Sequence, residues 1–147
     1  MKLKELEVTD IPKIVPYLYD GLEHVFPMRT DDEDYYHRLL CHFIKHRKSY
    51  VVFDSDVFCG MLLTTVKKSL WNPEVRILSV ASIATSVDNT SPKTIKILMD
   101  QLMTLVDELM LTDRVQIVTV DSIPGVTNIN YEKRGFTLKQ NVYVMES

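Results

Sequence analysis

Ser91, Pro92, Lys93 and Thr94 stand where an apolar strand-like run meets a long apolar helix-like run, the place in this sequence best suited to chemistry with an anion. A serine just before a helix can take a backbone N–H on its side-chain oxygen. A proline at the first helical position gives up an N–H that has no helical partner anyway. Free N–H groups and the helix dipole converge on one spot there, and Lys93 adds charge, so the segment can hold a phosphate. The same pattern also serves as a plain core strand and core helix, which is its commoner use. Three other groups invite chemistry and yield less. His42 and His46 are one helical turn apart and could share a metal with a third ligand, but the sequence supplies no acidic or cysteine partner. Beside Lys45 and Arg47 they read as a solvated pair. Asp31, Asp32, Glu33 and Asp34 cannot all face one ligand on a helix, so they read as capping and solvation. Cys41 and Cys59 have no metal spacing and read as reduced, buried thiols.

The elements that must position the anion-binding junction run from Val75 to Leu111. VRILSVASIA offers Val75, Ile77, Val80, Ala81, Ile83 and Ala84 without glycine or proline, which suits a strand covered on both faces. From Lys93, the residues Ile95, Leu98, Leu102, Leu105, Val106 and Leu109 recur at three- and four-residue steps, an apolar stripe that must face a core. Upstream, LKELEV reads as a strand. Thr9 or Asp10 caps a helix whose face is Ile14, Tyr17, Leu18 and Leu22, with Pro16 bending it. The acidic 31–34 run opens a second helix and Lys45, His46, Arg47 and Lys48 close it, the order a helix dipole favours; Tyr36, Leu39, Leu40, Phe43 and Ile44 form its face. Tyr50 to Phe53 and Val57 to Val66 read as a hairpin about Asp54-Ser55-Asp56, and Gly60 within it marks a bulge or a close backbone approach. After the long helix, VQIVTV reads as a further strand joined by a crossover, so parallel to the organising one. Asn128 to Arg134 reads as a short helix stopped by Gly135, and FTLKQNVYVMES as a last strand or hairpin.

The chain has 147 residues, a net charge of -3 and 25% charged residues of mixed sign, which suits one domain spanning residues 1–147 and argues against a nucleic-acid binder. No run approaches the ~20 apolar residues of a membrane span, and the N-terminus lacks a signal-peptide core. The expected location is the cytoplasm, or a viral particle under the structural reading given below.

The string YEKRGF at Tyr131 to Phe136, Gly60 in its strand, the opening VTDIPKIVPYL and the order of elements together resemble the GNAT superfamily of acyl-CoA-dependent N-acyltransferases. The resemblance implies an α/β (α+β) fold: a mixed, mostly antiparallel central sheet with a parallel, splayed pair of strands and flanking helices. It implies acetyl-CoA as cofactor and an amine, on a small molecule or a protein, as acceptor. In that family the loop before the long helix is glycine-rich, so that backbone N–H groups wrap the CoA diphosphate. Here the loop is VDNTSPKT, and Pro92 and Thr94 fall where two glycines would stand. With glycines only at 21, 60, 125 and 135, the cofactor residues implied are Ser91, Lys93, Thr94 and Ile95. Tyr131 matches the tyrosine that protonates the departing thiolate, or else packs its ring under the last strand. Glu74 falls where a carboxylate base often stands, or else is a surface residue after Asn72-Pro73. Pro124 replaces a frequent asparagine. The alternative reading is a GNAT-like scaffold that has lost cofactor binding and serves as a structural or adaptor module, for instance in a viral particle. Under either reading a homodimer or an assembly partner fits.

Overall fold

The computed structural model describes residues 1–18, 22–23, 30, 32–89, 91–120, 129–139 and 145, with the backbone alone at 22, 23 and 89. Six strands form one sheet: β1 (Lys2–Glu5), β2 (Leu22–Glu23), β3 (Tyr50–Asp54), β4 (Val57–Lys68), β5 (Arg76–Ser86) and β6 (Ile117–Val120). Their order is β1-β3-β4-β5-β2, with β6 also on β5. All pairings are antiparallel except β5 with β6, which is parallel, as a crossover through a helix requires. The helices are α1 (Ile11–Ile14), α2 (Glu33–His46) and α3 (Pro92–Leu111).

The sheet is covered on both faces. On one, Ile11, Ile14, Val15, Leu18, Tyr36, Leu40 and Phe43 pack on Val51, Phe53, Phe58, Met61, Leu63 and Ala84. On the other, Leu98, Met99, Leu102, Leu105, Val106 and Leu109 of α3 pack on Val52, Leu62, Leu78, Val80 and Ile83. Strand residues of successive parity therefore feed opposite cores, which is why β3, β4 and β5 carry such dense apolar runs. The hairpin turn puts Ser55 at φ 49° and Asp56 at φ 66°, the left-handed pair that matches strand twist in a two-residue loop.

Local signals hold where their hydrogen bonds are local. Asp32 caps α2 by accepting from the Tyr35 N–H at 3.2 Å, and Arg47 closes it at φ 57°. Gly60 is a close approach: a Cβ there would lie 2.8 Å from the Ala84 carbonyl oxygen and 3.1 Å from both Thr94 Cγ2 and Leu98 Cδ1. Its missing side chain lets the first turns of α3 settle on β4. A bulge lies beside it, where the β3–β4 register shifts between Val52 and Phe53.

Several expectations are corrected. The organising strand starts at Arg76, and Ala81, placed in the core by the apolar pattern, is exposed. A bulge explains it, since Leu63 pairs with Ser82 but Thr64 with Val80, leaving Ala81 as the extra residue. Leu22 belongs to β2, not to the first helix. That helix is only α1, extended by one-turn 3-10 helices at Val8–Asp10 and Val15–Tyr17, with Pro16 inside the second. Asp10 does not cap α1 but reaches back, accepting from the Glu7 N–H at 2.9 Å and from Lys4 Nζ at 2.8 Å. The helix expected at Asn128 to Arg134 is a single 3-10 turn, Glu132–Arg134, within its described part. Phe136 to Lys139 form no strand; the rest of the expected last strand, and Gly21, Thr90, Pro124, Gly125 and Asn128, lie outside the described residues apart from Met145. Cys41 and Cys59 are free, and burial raises the thiol pKa of Cys59.

Candidate functional site

β5 is the long central strand, and its two edges differ. β4 pairs with it from Arg76 to Thr85. On the other edge the parallel ladder with β6 ends at Val80↔Val120, and the antiparallel pairing with β2 begins at Thr85. Between them, Ala81 to Ala84 have no partner strand on that edge among the described residues, an interval of ~13 Å at the usual rise per residue. Three side-chain hydroxyls here are buried and have no hydrogen-bond partner: Ser82 lies within this interval, and Thr85 and Ser86 lie just beyond it, where β5 pairs with β2. Thr85 and Ser86 are fully buried. Thr85 pairs with Gly60 under α3, whereas Ser82 pairs with Leu63, whose side chain lies in the α1/α2 core. Ser82 and Thr85 thus face opposite sides of the sheet. A buried hydroxyl without a partner costs about 1–3 kcal/mol. The residues ASIATS carried the only sequence signal for these hydroxyls: small and hydroxylated side chains in a strand that is otherwise a core strand.

The first turn of α3 lies beside this interval. The Lys93 N–H donates to Ser91 Oγ at 3.2 Å, and the N–H groups of Thr94 and Ile95 both donate to the Ser91 carbonyl oxygen, at 3.0 and 3.5 Å. Pro92 has no N–H. Every donor proposed from sequence for a phosphate is therefore satisfied within the helix. Thr94 is wholly buried, its methyl beside Gly60 and its hydroxyl 3.5 Å from Met1 Sδ, so it faces the core and not a ligand. Of the four cofactor candidates, Ser91 caps, Thr94 and Ile95 pack, and Lys93 alone has an exposed side chain at the helix start.

Tyr131 packs its ring on the α3 core and meets Phe136 edge-on, with centroids 6.0 Å apart. The string YEKRGF is a tight turn: the Phe136 N–H donates to the Tyr131 carbonyl at 3.3 Å, and Gly135 sits at φ 95°. Arg134 Nη1 binds Asp100 Oδ1 at 2.8 Å and fastens the turn to α3. Burial pushes the Tyr131 phenol up to about 12, so near neutral pH it is protonated and can donate a hydrogen bond.

Glu74 is not brought to this site. It is exposed in the loop before β5, its N–H bound to Asn72 Oδ1 at 3.1 Å. α3 runs back along β5, from Thr94 beside Gly60 to a C-terminal turn followed by Gln116, whose N–H meets the Arg76 carbonyl at 3.0 Å. Asp100, and Tyr131 with it, belong to the N-terminal half of that helix, while Glu74 lies past the opposite end of the strand. Seven residues of strand separate it from Ala81, ~23 Å. The pairing of Glu74 with Tyr131 across one cleft is therefore overturned. His42 and His46 stack edge-on with centroids 5.0 Å apart, and among the described residues no group of His, Cys, Asp or Glu reaches the size of a metal site.

No family model and no curated protein matches the sequence. Solved structures do match over nearly the whole chain. A possible acetyltransferase from Clostridium difficile 630 superposes with a TM-score of 0.69 at 15% identity, covering 99% of this chain and 97% of that one. A glucosamine-6-phosphate N-acetyltransferase from Arabidopsis thaliana superposes with a TM-score of 0.66 at 14% identity, covering 99% and 97%. A predicted acetyltransferase from Clostridium acetobutylicum with acetyl-CoA gives 0.68 at 14%, covering 99% and 95%. The chain has the GNAT fold. β5 and β6 are the parallel pair expected of that fold. The residues present fit the two ends of acetyl-CoA unequally. An arm with two amides suits the ~13 Å of β5 that has no partner strand on one edge among the described residues. At the start of α3 the N–H groups of Lys93, Thr94 and Ile95 already have acceptors.

Proposed function

We propose that the chain transfers an acetyl group from a pantetheine thioester, acetyl-CoA being the family's form, to an amine. The stretch Ala81 to Ala84 of β5, which has no partner strand on one edge among the described residues and contains the unpartnered hydroxyl of Ser82, carries this reading. When bound, the thioester supplies the activated acetyl carbon. In the balanced reaction the amine nitrogen forms the C–N bond, the C–S bond breaks, the amine loses a proton and the sulfur gains one. The edge of β5 would orient the arm by strand-like hydrogen bonds. Tyr131 would hold the leaving sulfur by donating a hydrogen bond: a thiol near pKa ~8.5 is the stronger acid, so the phenol at about 12 keeps its proton. Release of free thiol on mixing the protein with acetyl-CoA or acetyl-pantetheine and a panel of primary amines tests the reading. Tyr131→Phe is expected to lower kcat about 100-fold with KM little changed. One observation favours a second reading, a non-catalytic GNAT-fold structural or adaptor module: the N–H groups of the first turn of α3 are already satisfied. Absence of thiol release with every amine and both thioesters would put that reading first.

A further inference from the structure

We infer that the tip of the β4–β5 hairpin, Leu70 and Trp71 with Lys67, Lys68 and Arg76 around them, docks on an anionic lipid surface. Nothing in this depends on acyl transfer. Leu70 is 84% and Trp71 91% exposed, two consecutive bulky apolar side chains left in water on one loop. That loop is firmly built. The Ser69 N–H donates to the Val75 carbonyl at 2.8 Å, the Val75 N–H to the Asn72 carbonyl at 3.0 Å, and the Glu74 N–H to Asn72 Oδ1 at 3.1 Å. It also stands clear of β3. Pairing of β3 with β4 stops at Tyr50↔Leu62, whereas β4 and β5 pair on to Lys68↔Arg76, ~20 Å further along the strand.

Charge and area decide what covers the tip. Lys67, Lys68 and Arg76 are exposed and make no ion pair among the described residues. Glu74 is the only carboxylate of the segment 67–76, which is therefore net positive on a chain whose net charge is -3. Lys68 and Arg76 are direct cross-strand partners, a like-charge pairing that costs stability and that an anionic surface relieves. The carboxylates at the adjoining end of α3 are engaged, Asp113 with Gln116 and Glu108 with Arg114. A second copy would set these cations against their equals. Trp71 can bury at most about 250 Å² and Leu70 less, well short of the ~800 Å² that each side of a stable protein interface supplies. A bilayer sets no such requirement. The indole rests at the level of the headgroups, the leucine reaches the acyl chains beneath, and the lysines stay in the anionic layer. The start of α3 lies beside Gly60 and Thr85, at the other end of β5, so docking leaves it uncovered.

Trp71 is the single tryptophan of the chain, so its emission reads docking directly. The full chain is mixed with vesicles of phosphatidylcholine and phosphatidylserine in equal parts, and with vesicles of phosphatidylcholine alone. On the anionic vesicles the protein is expected to co-sediment, with its emission shifted to the blue and its quenching by acrylamide reduced. On the neutral ones binding should be weaker by about tenfold or more. Each basic residue near such a surface contributes about fivefold in affinity, so a Lys67→Gln, Lys68→Gln double variant should bind about 25-fold less tightly, and added salt should act in the same direction. Trp71→Ser should also weaken binding, with the far-ultraviolet circular dichroism of both variants unchanged. Absence of co-sedimentation at millimolar lipid would overturn the proposal. Co-sedimentation that leaves Trp71 emission unaltered, or that the lysine variant retains in full, would place the contact elsewhere and overturn it too. A blue shift that grows with protein concentration without lipid would put a second copy on the tip instead. One produced by polyglutamate and not by vesicles would put an acidic protein there.

Discussion

The Thr85 hydroxyl is buried and has no partner, so Thr85→Val removes a desolvated polar atom while keeping the shape. The variant should be more stable by about 1 kcal/mol in urea unfolding. A loss of stability would show that the hydroxyl is satisfied after all. Gly60 behaves oppositely. In Gly60→Ala the new methyl meets the Ala84 backbone oxygen at 2.8 Å, which no rotamer can relieve, so strand and helix must part at a cost of about 1–3 kcal/mol. Gly135 has nothing within 4 Å of a Cβ, and Gly135→Ala should cost about 1 kcal/mol for the φ of 95° alone.

At the scale of elements, the capped start of α3 can be tested by removing the cap. Ser91→Ala leaves the Lys93 N–H without its acceptor and should lower stability by about 1 kcal/mol. The same variant frees one donor for an anion, so acetyl-CoA should bind more tightly, as read by calorimetry. The turn at Tyr131 gives a pH dependence. The fold prefers the neutral phenol, so its contribution is complete below pH 10 and is lost as pH rises through about 12. In Tyr131→Phe that alkaline loss should be smaller, as read from unfolding midpoints between those values. The exposed Arg134–Asp100 pair that fastens the turn acts mainly by position: hydrogen bonds from Lys96 first, then Arg134, lower the Asp100 pKa. Its small contribution is present above the ordinary aspartate range and fades as pH falls through the lowered value.

On the scale of the molecule, one sheet divides two cores, and β3, β4 and β5 supply side chains to both. Neither core can open without exposing the other, so the described layers should unfold together. The single tryptophan will not report it well. Trp71 is 91% exposed in the β4–β5 loop, so its fluorescence should change little across a transition that is plain in far-ultraviolet circular dichroism. A large, blue-shifted signal from folded protein would mean that the loop is covered in solution by another copy or partner.

The sequence by itself determined what is decided within a few residues of chain. The order of elements from β3 to β6, the Ser91–Pro92 start and stripe of α3, the acidic start and basic end of α2, and the hairpin turn at Asp54 to Asp56 all rest on hydrogen bonds and periodicities shorter than two helical turns. The fold follows from that order, and YEKRGF could point to it because Gly135 and the Tyr131–Phe136 contact are local too. Tertiary structure decided what depends on register and direction. Glu74 was misplaced because a candidate base is judged by which end of β5 faces the site. Ala81 was misplaced because one bulged residue resets the parity of everything after it. The Ser91 side-chain cap was legible in the sequence, but that the Ser91 carbonyl also takes the Thr94 and Ile95 N–H groups was not. Ser82, Thr85 and Ser86 were passed over because a hydroxyl in a strand becomes noteworthy only when pairing on both edges, and burial on both faces, have left it without a partner.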